Sequence, residues 1–452
     1  MSDRSAAWRS MRLRDTVVDV RGGTWGSDPI FGTDPLCVRV ADFDRERLVV
    51  KPSASTLRHV EANSLRRMQL KKGDLLLEKS GGGEKQNVGA VVYWGRDDLA
   101  VCSNFIARVR CSENAMPRFL VRLNFALYAA GAPNRSTKQA TGIQNLDVRS
   151  YLDEPICLPE IEEQGLIVRY LDHAELRIAK TIVAKQRMIA LLDEREELVL
   201  LQAISQSDQP MTTDSRLDWL GEFPAHWAVK RLGSLLEERN EMNADRQIQQ
   251  VLSLVRKRGV MRYEDKGRIG NKRSDDVARY KVVREGDIVL NSMNVIIGSV
   301  GQSSYTGCLS PVYYVLKPRS NELHNSYFNA LFQVERFHSS LVRFGKGILA
   351  HRLRIPMIDL KTVMLPVPPP DEQLAIADRV VKATAELKAA KAGIEAEISL
   401  LKEYRTRLIS DVVTGKLDVR EEAAKLPEID PIDLVNVAVG ENGDDEEASD
   451  DD

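Results

Sequence analysis

Lys79 to Gly89 reads KSGGGEKQNVG, a glycine-rich run between lysines of the kind that can wrap phosphates. It lacks the GxxxxGK(S/T) spacing that sets a lysine on nucleotide phosphates, which excludes a P-loop. Glu264-Asp265-Lys266 fits the ExK half of a nuclease motif, but so does Glu386-Leu387-Lys388 inside a helical stretch, and such a match carries no chemistry. There is no HExxH, the histidines at 59, 173, 226, 324, 338 and 351 are scattered, and no NPPY or DPPY tetrapeptide of the amino-methyltransferases occurs. Cys37, Cys102, Cys111, Cys157 and Cys308 form no CxxC pair. An odd, scattered set suits packing residues better than a disulfide framework or a zinc site. No catalytic set and no metal-ligating set emerges from these residues.

What remains is the chemistry of recognition. Base edges are read by Arg or Lys on guanine and by Asn or Gln on adenine, while more numerous contacts grip the backbone. Glycine-bearing loops that mix these types are the candidates for DNA binding. In the first half they are Lys79, Ser80, Lys85 and Gln86, then Asn134, Arg135, Thr137, Lys138 and Gln139 in PNRSTKQATG. The second half offers Arg256, Lys257, Arg258, Arg262 and Tyr263, followed by Arg343, Lys346, His351, Arg352 and Arg354. Any one of them reads equally as a solvated surface charge; as clusters they suit phosphate or base contact.

The charge balance points the same way once it is divided. The formal net charge of the 452 residues is -2, yet the last 32, from Glu421, carry -12, leaving +10 over the preceding 420. A moderately basic body suits an anionic partner. The tail, ending ENGDDEEASDDD, is expected to be a disordered extension, either a screen against nonspecific DNA contact or a solubility aid. No window approaches the ~18 apolar residues of a membrane span. The N-terminus MSDRSAAWRSMRLRD shows no secretory signal, so a soluble, cytoplasmic protein with no membrane partner is expected.

The elements that must carry these loops come in two sets, because landmarks of the first half return in order in the second. Trp8 precedes Leu13 as Trp227 precedes Leu232. KKGDLLL (Lys71 to Leu77) answers REGDIVL (Arg284 to Leu290), Gly142-Ile143 answers Gly347-Ile348, and ICLPEIEEQ (Ile156 to Gln164) answers VMLPVPPPDEQ (Val363 to Gln373). Lys72-Gly73-Asp74 and Glu285-Gly286-Asp287 read as structural turns before strands. Short β-type runs, GAVVYW (Gly89 to Trp94), NFIARV (Asn104 to Val109) and SPVYYVLK (Ser310 to Lys317), mark an α/β module in each half.

After each module the period changes. Ile167, Leu171, Ala174, Ile178, Ile182, Ile189, Leu192 and Val199 recur on one helix face, as do Leu374, Val381, Leu387, Ile394, Ile398, Leu401, Leu408 and Val412. Acidic residues and prolines mark both helix starts, and Pro210 and Gly415 the stops. A helix of about 45 residues is about 65 Å long and cannot bury itself on one small module. The two are therefore expected to pair as an antiparallel coiled coil within the chain, with the modules related by a pseudo-twofold axis.

The fold class expected is α/β, a tandem repeat: a first α/β module (1–158), a central coiled-coil helix (159–210), a second α/β module (211–366), a C-terminal coiled-coil helix (367–420) and the acidic tail (421–452). Basic modules on a rigid spacer suit two separated half-sites on DNA, ~34 Å apart for one helical turn. A coiled-coil protein scaffold without DNA specificity is the alternative.

LKEYRTRLISDVVTGKLDVR (Leu401 to Arg420) and LPVPPPDEQLAIADRV (Leu365 to Val380) resemble the C-terminal region of specificity subunits of type I restriction-modification systems. WLGEFPAHWAVKRLGSL (Trp219 to Leu235), KSGGGEKQNVG and TGIQNLDVRSYLDEPICLPEIEEQ (Thr141 to Gln164) extend the resemblance from Trp8 to Arg420. One departure is the end of the first helix, LVLLQAISQSDQP (Leu198 to Pro210), which lacks the VTGKLD-like ending of the second and suggests a less regular junction. The resemblance implies a non-catalytic subunit that reads a bipartite site on double-stranded DNA, one domain per half. Its helices would dock two methyltransferase subunits, and restriction/translocase subunits would join them. The chain itself would need no cofactor; S-adenosylmethionine, ATP and Mg would belong to the partners. Along the helices, Lys185, Arg187, Glu194, Arg195, Lys402, Glu403, Arg405 and Arg407 suit either partner contact or plain solvation.

Overall fold

A computed structural model describes residues 8–30, 32, 34–82, 86–140, 143–256, 258–267, 273–274, 276–346 and 353–429. Its residues form two compact units, one running to Lys185 and resuming at Ala396, the other spanning Gln186–Glu395. Both boundaries fall inside long helices.

The first unit opens with β1 (Arg9–Arg12), which pairs antiparallel with β10 (Pro155–Leu158), so the start and the end of the module close on each other. Between them lie β2 (Val17–Gly22), β3 (Phe43–Asp44), β4 (Val49–Val50), β5 (Leu75–Glu78), β6 (Val91–Tyr93) and β7 (Ile106–Cys111), ordered β2-β7-β5-β6-β4-β3 in one sheet. Successive strand side chains point to opposite faces, and both faces of this sheet are covered. Leu75, Leu77, Ala107 and Val109 join a core with Phe119, Leu120 and Leu123 of α1 (Pro117–Ala129), whereas Leu76, Val92 and Ile106 join a second core around Trp94. That is why LLL reads as an unbroken apolar run. A ribbon of β8 (Thr137–Ala140) and β9 (Ile143–Leu146) follows α1.

The helix α2 (Ile161–Ser205) then begins, with Glu162 and Glu163 in its first turn, where acidic side chains meet the positive helix end. Within this unit Ile167, Leu171, Ile178 and Ile182 are buried with Leu408, Ile409, Val412 and Val413, which arrive from the far end of the sequence. Lys185 pairs with Glu397 and Glu175 with Arg405, so rising numbers on one helix meet falling numbers on the other. A buried charge cluster anchors this seam: Arg122 of α1 donates to Asp172 and Glu175, both at 2.8 Å, and Arg118 reaches Asp172 at 2.7 Å. Burial pushes the Glu175 carboxyl up, but Arg122 and Arg405 outweigh it and hold the group below the ordinary carboxylate range. At Asp172 burial prevails over its two arginines and the carboxyl is raised.

The second unit repeats this plan. β11 (Ala228–Arg231) pairs with β16 (Met364–Val367), and β12 (Leu236–Glu238), β13 (Ile288–Asn291), β14 (Val300–Gln302) and β15 (Tyr313–Pro318) are ordered β12-β15-β13-β14, the counterpart of β2-β7-β5-β6. Helix α3 (Asn325–Phe332) takes the place of α1, and α4 (Pro370–Val413) that of α2. Here Lys391 meets Asp193 at 2.7 Å and also Glu196, and Arg379 donates to the Gln206 carbonyl at 2.7 Å, again antiparallel.

Matching details show how deep the repeat goes. The Trp8 indole N–H donates to Glu163 at 3.3 Å and that of Trp227 to Glu372 at 3.0 Å. Asp74 accepts the Lys71 N–H and two bonds from Arg110 at 2.8 Å, and Asp287 accepts the Arg284 N–H and two bonds from Arg239. Both Gly-Asp turns carry φ values only glycine adopts freely, +98° at Gly73 and +87° at Gly286. Gln164 and Gln373, buried at the helix starts, each accept one backbone N–H and donate to two carbonyls. Replacing Gln373 by leucine would orphan the His324 N–H and the carbonyls of Glu322 and Pro368, and should cost about 3 kcal/mol. Urea unfolding would measure it; a loss below about 1 kcal/mol would mean that water replaces the amide.

The structure also departs from the periodicity. Leu374 and Val381 are 45% and 66% exposed, while Gln373, Ile376, Ala377, Val380 and Thr384 are buried instead. At this end α4 packs on its module as well as on α2, so its buried face is wider and rotated relative to the helix-pair seam. The two helix ends differ as well. Leu200, Ala203 and Ile204 share a core with Leu217 and Trp219, whereas past α4 Gly415 turns at φ +73° with its Cα open toward the Trp8 ring. A Cβ at that position would come within 3.3 Å of the ring, so glycine suits both the turn and the close approach. The chain continues through a short helix, Arg420–Ala424, with Ala423 buried; from residue 430 the acidic tail lies outside the described residues. Among those residues no helix is long and apolar enough to cross a membrane, and all five cysteines are unbridged.

Candidate nucleic-acid interface

In the first module the fold brings the two predicted loops together. Ser80–Gly81 pairs with β9, forming a three-stranded sheet with the β8–β9 ribbon, so Ser80 flanks the central β9 on one side and Lys138 and Gln139 flank it on the other. Asn87 donates to Asn134 at 3.0 Å, tying the glycine loop to the turn that opens the ribbon, and the Gln86 carboxamide lies against Arg45. Lys85 falls outside the described residues, and of Gln139 only the backbone is described.

The candidates differ in how they are held. Thr137 spends its hydroxyl on the Pro133 carbonyl at 2.8 Å. Arg135 makes two bonds to the buried Glu154, at 3.1 and 2.6 Å, yet stays 65% exposed. A guanidinium fixed in this way is aimed, and its outer edge faces solvent. Lys138 is exposed, directly across the ribbon from Asn145. Asn145 escaped the loop-based reading. Its signal was the alternation in IQNL, where Gln144 and Leu146 are buried and the residue between them must face out.

In the second module the candidates form two groups, and no hydrogen bond or ion pair among the described residues joins them. Arg256, Arg258 and Arg262 are exposed on the hairpin of Leu252–Val255 and Gly259–Arg262. There Arg262 lies over the Tyr305 ring at 5.4 Å, while the Tyr263 hydroxyl accepts the Arg273 N–H at 2.9 Å. In the other group Lys346 and Arg354 form an antiparallel bridge, exchanging backbone hydrogen bonds of 2.9 and 3.1 Å. Arg343 stands just before it, with its guanidinium 5.0 Å from the Phe344 ring. Lys346 also meets Asp359 at 2.9 Å. Lys257, His351 and Arg352 fall outside the described residues. Among those residues no group of three or more His, Cys, Asp or Glu side chains is gathered to hold a metal ion.

Fold and site together define a class: a chain of two like α/β modules, each followed by a long helix, with the helices paired antiparallel within each unit and exposed basic side chains on the modules. Comparison with known proteins narrows it. The chain is 22% identical over 427 residues to a putative type I restriction enzyme specificity subunit, MjaX, of Methanocaldococcus jannaschii, covering 91% of this chain and 94% of that one. It shares its fold, at a TM-score of 0.57 and 17% identity, with a chain solved in work on complex assembly and conformational transition of the type I R-M system, covering 91% of this chain and 98% of that one. No family model matches. The resemblance in sequence to a putative type I specificity subunit thus extends over nine-tenths of the chain, and the likeness in fold to the solved chain covers the same share.

Proposed function

We propose that this chain is the DNA-recognition subunit of a type I restriction-modification complex. The observation that carries this reading is the repeat itself: two modules whose main sheets share a four-strand order, each presenting an exposed lysine, Lys138 or Lys346, on an antiparallel pairing at the same place in the fold. Residues 1–158 and 211–366 serve as target-recognition domains, one for each half of a bipartite duplex site, with the candidate residues above making phosphate and base contacts. The paired helices set the half-site spacing and dock two methyltransferase subunits, to which restriction/translocase subunits attach. The chain has no catalytic centre of its own. S-adenosylmethionine would enter with the methyltransferase, and ATP and Mg with the restriction subunits, in the cytoplasm.

Long-read methylome sequencing tests this directly, in a host carrying the chain with its neighbouring methyltransferase and in the same host with this chain deleted. Methyladenine in one bipartite motif, lost on deletion, is expected. An unchanged methylome with an expressed, active partner would overturn the assignment.

A further inference from the structure

We infer that one exposed position in each module reads a base, Asn145 an adenine and Arg354 a guanine; this rests on the DNA-recognition reading above. The equivalence of the two residues comes from the backbone. In the first module the Leu146 N–H donates to the Lys79 carbonyl at 2.8 Å, and in the second the Ile355 N–H donates to the Ser292 carbonyl at 2.9 Å. Lys79 and Ser292 each directly follow the central strand of their sheet, β5 and β13. Leu146 and Ile355 are buried, so the residue before each is turned outward, and Asn145 and Arg354 are both exposed.

Across the antiparallel pairing the opposite residue is a lysine in both modules. Lys138 is in register with Asn145, and Lys346 with Arg354. One member of the cross-strand pair is thus the same and the other differs, which is the pattern expected if the constant lysine grips phosphate and the variable residue reads sequence. A two-stranded ribbon such as β8–β9 fits the major groove, about 12 Å wide, where asparagine pairs with adenine N6 and N7 and arginine with guanine O6 and N7. Asn145 is also oriented for this task. Its Oδ1 accepts the Ser80 hydroxyl at 2.7 Å from the neighbouring strand, while its amide nitrogen, like the Arg354 guanidinium, donates no hydrogen bond among the described residues. The Lys346 side chain stays 68% exposed despite the Asp359 contact.

The test uses the assembled methyltransferase complex. Asn145→Arg should convert a single adenine of one half-site to guanine in the methylome, and Arg354→Asn a single guanine of the other half-site to adenine, with all remaining positions kept. A second measurement does not depend on the folding of any variant: wild-type complex is bound to duplexes in which each adenine of the first half, or each guanine of the second, is replaced in turn by its 7-deaza analogue. One position in each half should weaken binding about 10-fold, the loss of one bond of a bidentate pair. Asn145→Ala and Arg354→Ala should abolish that sensitivity. Variants that methylate an unchanged motif, or wild-type indifference to every missing N7, would overturn the base assignment while leaving the recognition role standing. Absence of any chain-dependent bipartite motif would remove both.

Discussion

Arg122→Met should destabilise the first unit by roughly 3–5 kcal/mol, because it leaves Asp172 and Glu175 buried with one arginine each. The expected cost comes from the stranded charges rather than from the worth of the pair. Arg122→Met combined with Asp172→Asn and Glu175→Gln should therefore recover much of the loss. Urea unfolding of the three proteins decides it, and a single substitution costing under 1 kcal/mol would mean that Arg118 and Arg405 suffice.

Acid should act on the same cluster. The Glu175 carboxyl is depressed in the fold, so its contribution is complete above the unfolded carboxylate pKa and is lost as pH falls through the folded value. Asp172, raised by burial, works in the opposite sense: its contribution is complete below its unfolded pKa and is lost as pH rises through the folded value. Glu175→Gln should accordingly flatten the acid side of the stability profile, whereas Asp172→Asn should not.

Inserting one heptad into each long helix should lengthen the gap between half-sites and leave both half-sequences unchanged. Seven residues add about 10.5 Å of helix. At about 3.4 Å per base pair that is about three base pairs. Placing the insertions after Lys185 and after Glu395 keeps every pairing within a unit, because Glu175–Arg405 and Lys185–Glu397 lie on one side of these points and Lys391–Asp193 on the other. A heptad also keeps the apolar seam in phase. Methylome sequencing reads the outcome: a longer gap is expected, and altered half-sequences would defeat the spacer model.

Much of this architecture is legible in the residues alone because it is local. The steps of four, three and four through Ile167, Leu171, Ala174 and Ile178 declare a helix without reference to any partner, and Gly73-Asp74 and Gly286-Asp287 declare turns by the backbone they demand. The duplication shows for the same reason, since each half must encode its own local elements. Of the candidate interface, the loops were legible as composition, but their grouping was not. Arg135 looks the same in the chain whether it is solvated or held by Glu154.

The tertiary structure decided what depends on residues distant in sequence. Asp74 draws its arginine from β7 and Asp287 from the segment after β12, a choice no spacing announces because several arginines lie within reach of each turn. The rotated buried face at the start of α4, which leaves Val381 exposed, follows from packing on a module as well as on a helix. Trp8 meets Gly415, nearly the whole chain away, and Asn145 occupies the position of Arg354 only through hydrogen bonds between strands. Helix and turn formation is an intrinsic property of a short segment; register and long-range pairing are properties of the packed whole.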